Sequence, residues 1–408
     1  MKIFLLRLFV KKWLNNMLDE ITNLPSKNAG DWAELYVLLM TLSQGKLYAA
    51  DGNLNLINQQ FFPVISIEMQ KTGQTKDKPI AIVYTVNINE QVINVNCEGV
   101  DSHISMSTFK TEAQAFFNII STRAGRSFQV PEISSMLEKL HNPITKQSSS
   151  KKADIHIVIH DVMTGIQNEV GFSIKSKHSS PASLINASGQ TLFQYNINSN
   201  KEPIDVAEIE SALSIFELSE DANKEKIGPK QRVTKLLSAG YLLSFNKVKS
   251  NYFQENLQLI DSALDQFLAD CLLVFMQGNA STLVSVVELV AKRNPCKFSS
   301  TNDERLLDFY QYKMKRLIID AALGMQPKVP WTGKYDASGG YIVVKSSGEV
   351  VCYHLYNWNA LQDYLYNNLK FETPSSTSIG RKKSFNYALY YLEKGKPYMD
   401  ICLQLRFK

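Results

Sequence analysis

The sequence predicts a mixed α/β (α+β) fold: a mixed sheet flanked by helices, then a helical insertion, then a β-rich C-terminal part. Three observations predict it. Residues 155–160 and 170–177 alternate apolar and polar side chains at the period of half-buried strands, downstream of a helical stretch at 28–45. From about 205 to 326 the apolar period becomes helical. After Pro330-Trp331 short alternating runs return, separated by turn residues. These changes divide the chain into an N-terminal extension (1–27), a core (28–200), a helical region (201–328) and a β-rich C-terminal region (329–408).

At 408 residues, 44% hydrophobic and 20% charged, the composition is that of an ordinary globular protein. A net charge of +5 permits a polyanionic partner without demanding one. The five cysteines are scattered and form no CxxC pair, which argues against a disulfide framework or zinc cluster and fits a reducing cytoplasm. The stretch Met1 to Lys12 imitates a signal peptide, but Arg7 interrupts its apolar run and no small-residue cleavage site follows; it reads as an amphipathic extension. No later stretch is long and apolar enough to span a membrane.

The first helix is predicted over Asn28–Gly45, with Asn28 or Asp31 capping its start and Gly45 ending it. Trp32, Leu35, Tyr36, Leu38, Leu39 and Leu42 wrap most of its circumference, so it is expected to be largely buried. Glu34 is the one acid in that surround. It either faces a cation or lies on an exposed strip, and the sequence leaves both open. Strands follow at Lys46–Ala50, Phe61–Met69, Ile80–Asn87 and Glu90–Cys97, then helices at Thr111–Ser121 and within Phe128–Leu140, then a polar loop at Lys146–Lys152.

The next segment is a hairpin. Ile155, Ile157 and Ile159 point one way, and Asp154, His156 and Val158 the other. Val170, Phe172 and Ile174 share one face of the second strand; Gly171, Ser173, Lys175 and Lys177 share the opposite one. Thr164-Gly165 suits the turn. Antiparallel pairing with the apolar faces matched brings Asp154 close to Ser173, Lys175 and Lys177. Such a carboxylate and ammonium are either a solvated ion pair worth little or the pair used in metal-assisted phosphodiester cleavage. In the second case the acid holds Mg²⁺ and the lysine positions or polarises the attacking water.

Residues 178–195 are dense in small hydroxyl and amide side chains, suited either to phosphate and base-edge contact or to a plain polar loop with one short helix. Leu192–Ile197 reads as a strand. Helices are expected at Asp205–Leu218, Pro229–Leu242, Asn251–Met276 (one long helix), Thr282–Lys292 and Asp303–Leu323; a helix-turn-helix or a plain bundle fits this block. Gly339–Lys345 and Glu349–Leu355 form a hairpin, Asn357–Asn368 a short aromatic helix, and Tyr387–Leu392 with Tyr398–Phe407 a last hairpin. The loop before it carries Arg381, Lys382 and Lys383, either a phosphate-contact cluster or a solvated loop.

In order from about Asn28 to the end, several stretches resemble the HpaII-type restriction endonucleases, a branch of the PD-(D/E)XK nuclease superfamily. They are Gly30-Asp-Trp-Ala-Glu-Leu-Tyr36 with Gly45–Asp51, Ala153–Asp161, Gly171–Lys177, Ser180–Ser188, Gly339–Lys345 with Tyr353-His-Leu-Tyr356, Glu372–Ser378 and Leu403–Phe407. The resemblance implies a PD-(D/E)XK core over 28–200, a DNA-contacting C-terminal region, and Mg²⁺-dependent type II cleavage of double-stranded DNA. CCGG is the candidate site. The cut would leave 5′-phosphate and 3′-hydroxyl ends, within a restriction–modification system whose cytosine methyltransferase is a separate chain. Whether the active unit is a monomer or a homodimer stays open. Residue by residue, Asp154 falls on the metal-binding Asp and Lys175 on the catalytic Lys. Ser173 stands where the superfamily's second acid usually lies, and a hydroxyl cannot replace that charge. The resemblance therefore calls for an acid from elsewhere: Glu34 as the second metal ligand, with Glu169 the weaker candidate and Gln190 a source of neutral oxygen. Lys177, Asn186, Gln190, Arg381 and Lys382 are candidate DNA contacts. His156 is expected to be structural rather than a proton shuttle.

Two other classes compete: a sequence-specific DNA-binding protein without cleavage, and a structural protein with an incidental hairpin. The Asp154/Lys175 pair discriminates, since a pure binder needs no metal-binding acid beside an amine.

Overall fold

A computed structural model describes residues 26–71, 79–123, 125, 127–143, 152–162, 165–177, 181–199, 207–209, 228–300, 302–374, 387–388 and 390–408. The first elements are β1 (Lys27–Asn28), α1 (Ala29–Gln44), β2 (Lys46–Ala50), β3 (Leu56–Lys71), β4 (Ile80–Asn87), β5 (Val92–Cys97) and β6 (Val100–Ser105). Then come α2 (Met106–Thr122), β7 (Ser127–Phe128), α3 (Ser134–Lys139), β8 (Ile155–His160), β9 (Gln167–Ser176), β10 (Ser183–Ile185) and β11 (Leu192–Ser199). The next are α4 (Pro229–Ser238), β12 (Tyr241–Val248), α5 (Asn251–Ile260), α6 (Leu264–Met276), α7 (Leu283–Arg293) and α8 (Asp303–Leu323). The chain closes with β13 (Gly340–Val344), β14 (Val350–His354), α9 (Trp358–Asn368), β15 (Leu369–Phe371), β16 (Tyr390–Glu393), β17 (Lys396–Cys402) and β18 (Leu405–Phe407).

The architecture is mixed α/β, as the periodicities predict, in two compact units. The first takes the chain up to residue 180 together with 336–358; the second takes 181–335 and 359–408. The boundaries at 200 and 328 drawn on composition differ from this division. Residues 181–199 lie in the second unit, and the hairpin β13–β14 returns to the first. The reason is strand pairing: β13 runs parallel to β9, Tyr341 opposite Ser173 and Val343 opposite Lys175.

In the first unit a nine-stranded sheet has the order β2-β14-β13-β9-β8-β3-β4-β5-β6. β3 is 16 residues long. Its first half pairs with β2 and its second half with β8 and β4, so the sheet closes on itself through this one strand. Helix α1 starts where Asn28 accepts the backbone N–H of Asp31 (2.9 Å) and stops at Gly45, whose φ of 64° is left-handed. Its Trp32, Leu35, Leu38 and Leu39 share one core with Ile155, Ile157, Phe172 and Phe109. β8 and β9 pair in the expected antiparallel register, Ile155 opposite Phe172 and Ile157 opposite Val170.

The second unit holds a four-stranded sheet, β12-β11-β17-β16, a three-stranded sheet, β10-β18-β15, and helices α4–α9. Phe193 and Tyr195 on β11 are fully buried, Phe193 edge-on to Phe253 and Tyr195 donating to Ala269 O (2.8 Å). Three expectations are corrected here. The long helix expected over 251–276 is two, because Asp261 takes the N–H of Ala263 on its side chain and pairs with Lys313, diverting the backbone. The helix expected over 229–242 ends at Ser238; the turn at Gly240 (φ 89°) then leads into strand β12, which pairs with β11. Strand β6, unforeseen in the sequence, follows β5 through a turn with positive φ at Glu98 and Gly99. The expected helix at 205–218 lies outside the described residues except for 207–209.

Gly340 opens β13 at φ 108°, and a Cβ there would stand 2.0 Å from Tyr353 O. Backbone cannot yield as a side-chain tip can. Gly340→Ala is expected to destabilise the protein by at least about 2 kcal/mol in a denaturant melt. Gly189→Ala, where nothing lies within 4 Å, serves as the near-neutral control.

Candidate active site

The site forms where β8 and β9 part. β8 begins at Ile155, so the ladder ends with Asp154 N–H donating to Phe172 O (2.8 Å). One step further along β9 the Ile174 N–H has no backbone partner on that side. The Asp154 carboxylate takes it, at 2.6 Å to Oδ2. Local strand geometry therefore holds the acid at the mouth of the hairpin.

Ser173 is 2% exposed, and its hydroxyl joins the two charges of the site. Lys175 Nζ donates to Ser173 Oγ (2.8 Å), and Ser173 Oγ donates to Asp154 Oδ2 (3.1 Å). Lys175 also donates to Ile174 O (3.1 Å) and lies 5.3 Å from the centroid of the Tyr341 ring. Oδ1 of Asp154 accepts no hydrogen bond among the described residues. The hydroxyl thus keeps acid and amine in a fixed relation without adding a third charge.

Glu34 closes the group from helix α1, which packs against β9. It does not lie on an exposed strip. Its Oε2 is buried with no hydrogen-bond partner, and its carboxyl is pushed up to about 9. Burial is the largest cause; Asp154 and Asp31 add to it, while Lys175 and Lys27 oppose it. A buried carboxyl whose proton is held partly by a neighbouring Asp154, one oxygen of each acid lacking a partner, gives a donor set suited to a divalent cation. Mg²⁺ commonly binds through one or two carboxylates and keeps several waters, so a pair with a neutral hydroxyl beside it fits. No cluster of three or more His, Cys, Asp or Glu able to hold a metal occurs among the described residues.

The other candidates are placed as follows. Glu169 is half-exposed and pairs with His156 (3.3 Å). It stands four residues from Ser173 along β9, about 13 Å away, too far to share an ion with Asp154. Lys177 donates its backbone N–H to Val344 O (2.9 Å) just past the end of β9. Asn186 and Gln190 are exposed in the second unit, on a turn capped by the Ser188 hydroxyl, which accepts Gln190 N–H (3.2 Å). Arg381 and Lys382 lie outside the described residues. Sequence reasoning missed Lys27, whose charge acts on Glu34, and Tyr341, under the Lys175 amine. Asp31, one helical turn before Glu34, was a legible sign of the acidic patch; the Tyr341 contact depends on distant strand pairing and had no local sign.

Comparison with known proteins adds to this geometry. A family model described as HpaII restriction endonuclease matches residues 28–407. A curated relative, the type II restriction enzyme HpaII of Haemophilus parainfluenzae, is 37% identical over 358 residues, covering 88% of this chain and 93% of that protein. No solved structure gives a significant match.

Glu34 holds its proton in the folded chain up to about pH 9 and gives it up near 4.5 when unfolded. In that window the folded state binds the extra proton, so stability falls as pH rises through it. Metal-free melts are expected to lose a few kcal/mol from pH 5 to 9. Glu34→Gln is expected to flatten that slope, and an unchanged slope would show that Glu34 is not buried as described.

Proposed function

The chain belongs to the HpaII restriction endonuclease family, and on that footing we propose that Asp154, Glu34, Ser173 and Lys175 form its cutting centre, working with Mg²⁺. It is a type II restriction endonuclease, a site-specific deoxyribonuclease acting on double-stranded DNA. Family membership thereby sets aside the readings as a non-cleaving binder and as a structural protein. The first unit is read as a PD-(D/E)XK core in which β8, β9 and α1 supply the acids and the amine.

The observation that carries the reading is the hydrogen-bonded line from Lys175 through Ser173 to Asp154, with the orphaned oxygen of Glu34 beside it. Asp154 and Glu34 would hold the ion, which supplies a Lewis acid for the scissile phosphate and lowers the pKa of bound water. Ser173 fixes the separation of acid and amine. Lys175 orients the attacking water by donating to it and carries positive charge toward the oxygens on which negative charge grows. Inversion at phosphorus with departure of the 3′ oxygen leaves a 5′-phosphate and a 3′-hydroxyl.

CCGG is the proposed recognition site, on the strength of the family resemblance, with a cytosine methyltransferase protecting the same site in the host. A homodimer would supply one centre per strand of such a twofold-symmetric site. Lys177 and the segment with Arg381 and Lys382 are proposed to touch phosphates, and Asn186 and Gln190 to meet DNA from the second unit. No helix among the described residues is long and apolar enough to cross a membrane, and the proposed place of action is the cytoplasm, where foreign DNA arrives.

Asp154→Ala and Lys175→Met are each expected to lower Mg²⁺-dependent plasmid cleavage by at least about 100-fold while duplex binding is kept. EDTA is expected to abolish cleavage by the unmodified protein, and end-mapping of its fragments to give 5′-phosphates. Unchanged cutting by Asp154→Ala would remove this centre.

A further inference from the structure

The four-stranded sheet of the second unit has two unlike faces. Phe193, Tyr195 and Ile197 of β11 are buried on one. The opposite face carries Gln194, Asn196 and Asn198 of β11 with Ser244 and Asn246 of β12, of which Asn198, Ser244 and Asn246 are exposed. Neutral amides and hydroxyls are the groups that read base edges, and they share this face with Leu242, opposite Asn198, and Lys247, opposite Gln194.

Its hydrogen bonds have one direction, set from below. Asp400 is 2% exposed and ion-paired with Lys249 (2.8 Å). As a carboxylate it can only accept, so the Tyr391 hydroxyl donates to it (2.9 Å). That hydroxyl accepts from Gln194 Nε2 (2.5 Å), which orients the amide so that Gln194 Oε1 accepts from Asn246 Nδ2 (2.6 Å). Asn246 is left with its carbonyl oxygen uncommitted at the surface. It also occupies a bulge: Gln194 pairs with Lys247 and Tyr195 with Phe245, so Asn246 is the extra residue. A bulge re-aims a side chain, and this one puts the end of a buried relay on an open face.

We propose that this face reads the edges of base pairs in duplex DNA, with Asn246 presenting a fixed acceptor to an exocyclic amino group, cytosine N4 or adenine N6, in the major groove. The spacing fits, since Asn196 and Asn198 stand about 6.8 Å apart on one strand, twice the rise of about 3.4 Å per base pair. The proposal rests on the double-stranded DNA substrate and is independent of which residues cut.

The test measures binding of the full-length protein, without divalent metal, to a cognate duplex and to duplexes with one base pair of the site changed, alongside cleavage of the same set with Mg²⁺. Asn246→Ala is expected to lower the cognate-to-variant ratio by about 10- to 100-fold while the salt dependence of binding stays the same, since no phosphate contact is lost. Tyr391→Phe, which breaks the relay below the surface, is expected to lower the ratio in the same direction and to leave the melting temperature close to that of the unmodified protein. Unchanged ratios in both variants would overturn the proposal and leave the network a purely structural one. A loss of binding equal on all duplexes, or a changed salt slope, would overturn it too. Failure of the cutting centre is told apart, because Asp154→Ala would then cut normally whatever the ratios are.

Discussion

Two carboxyl groups held near each other, half out of water, are the constraint on which the proposed cutting centre depends. Burial first, and repulsion from Asp154 second, keep a proton on Glu34. A hairpin and a helix nonetheless force them together: Asp154 is fixed by the Ile174 N–H where β8 ends, and Glu34 by a helix buried on most of its sides. A buried carboxylate oxygen without a partner is an expense that a fold seldom carries without use. The use that fits is a cation arriving with the DNA backbone.

Ser173 is where the arrangement departs from a three-acid or two-acid plan. A carboxylate at that position would lie against Asp154 and compete for Lys175. The hydroxyl instead accepts from the amine and donates to the acid, so it passes a hydrogen bond between them and adds no charge. The second acid proposed for the ion then comes from α1, distant in sequence, so that helix packing rather than strand alternation would decide whether the centre is complete.

How much of this was legible follows from which contacts are local. The hairpin around Asp154 and Lys175 was readable because alternation, turn and register act within two dozen residues, and the caps of α1 because Asn28 and Gly45 sit at its ends. Glu34 stayed ambiguous, since a helix apolar nearly all round does not reveal which neighbour faces its one acid. The destination of β13 could not be read, for its parallel pairing with β9 joins positions far apart in the chain. Strand β12 was hidden because adjacent Leu242 and Leu243 continue a helical-looking pattern, and the bulge at Asn246 exists only against β11. The amide face is accordingly a product of tertiary pairing, invisible as a motif.

The account comes down to where a divalent ion sits when DNA is bound. Crystals of the full chain with a duplex site and Mn²⁺ in place of Mg²⁺ would locate it by anomalous scattering. The expected result is a peak touched by both Asp154 and Glu34, with Lys175 still bonded to Ser173. A peak elsewhere on the chain, or one on Asp154 with Glu34 turned away and still protonated, would contradict it.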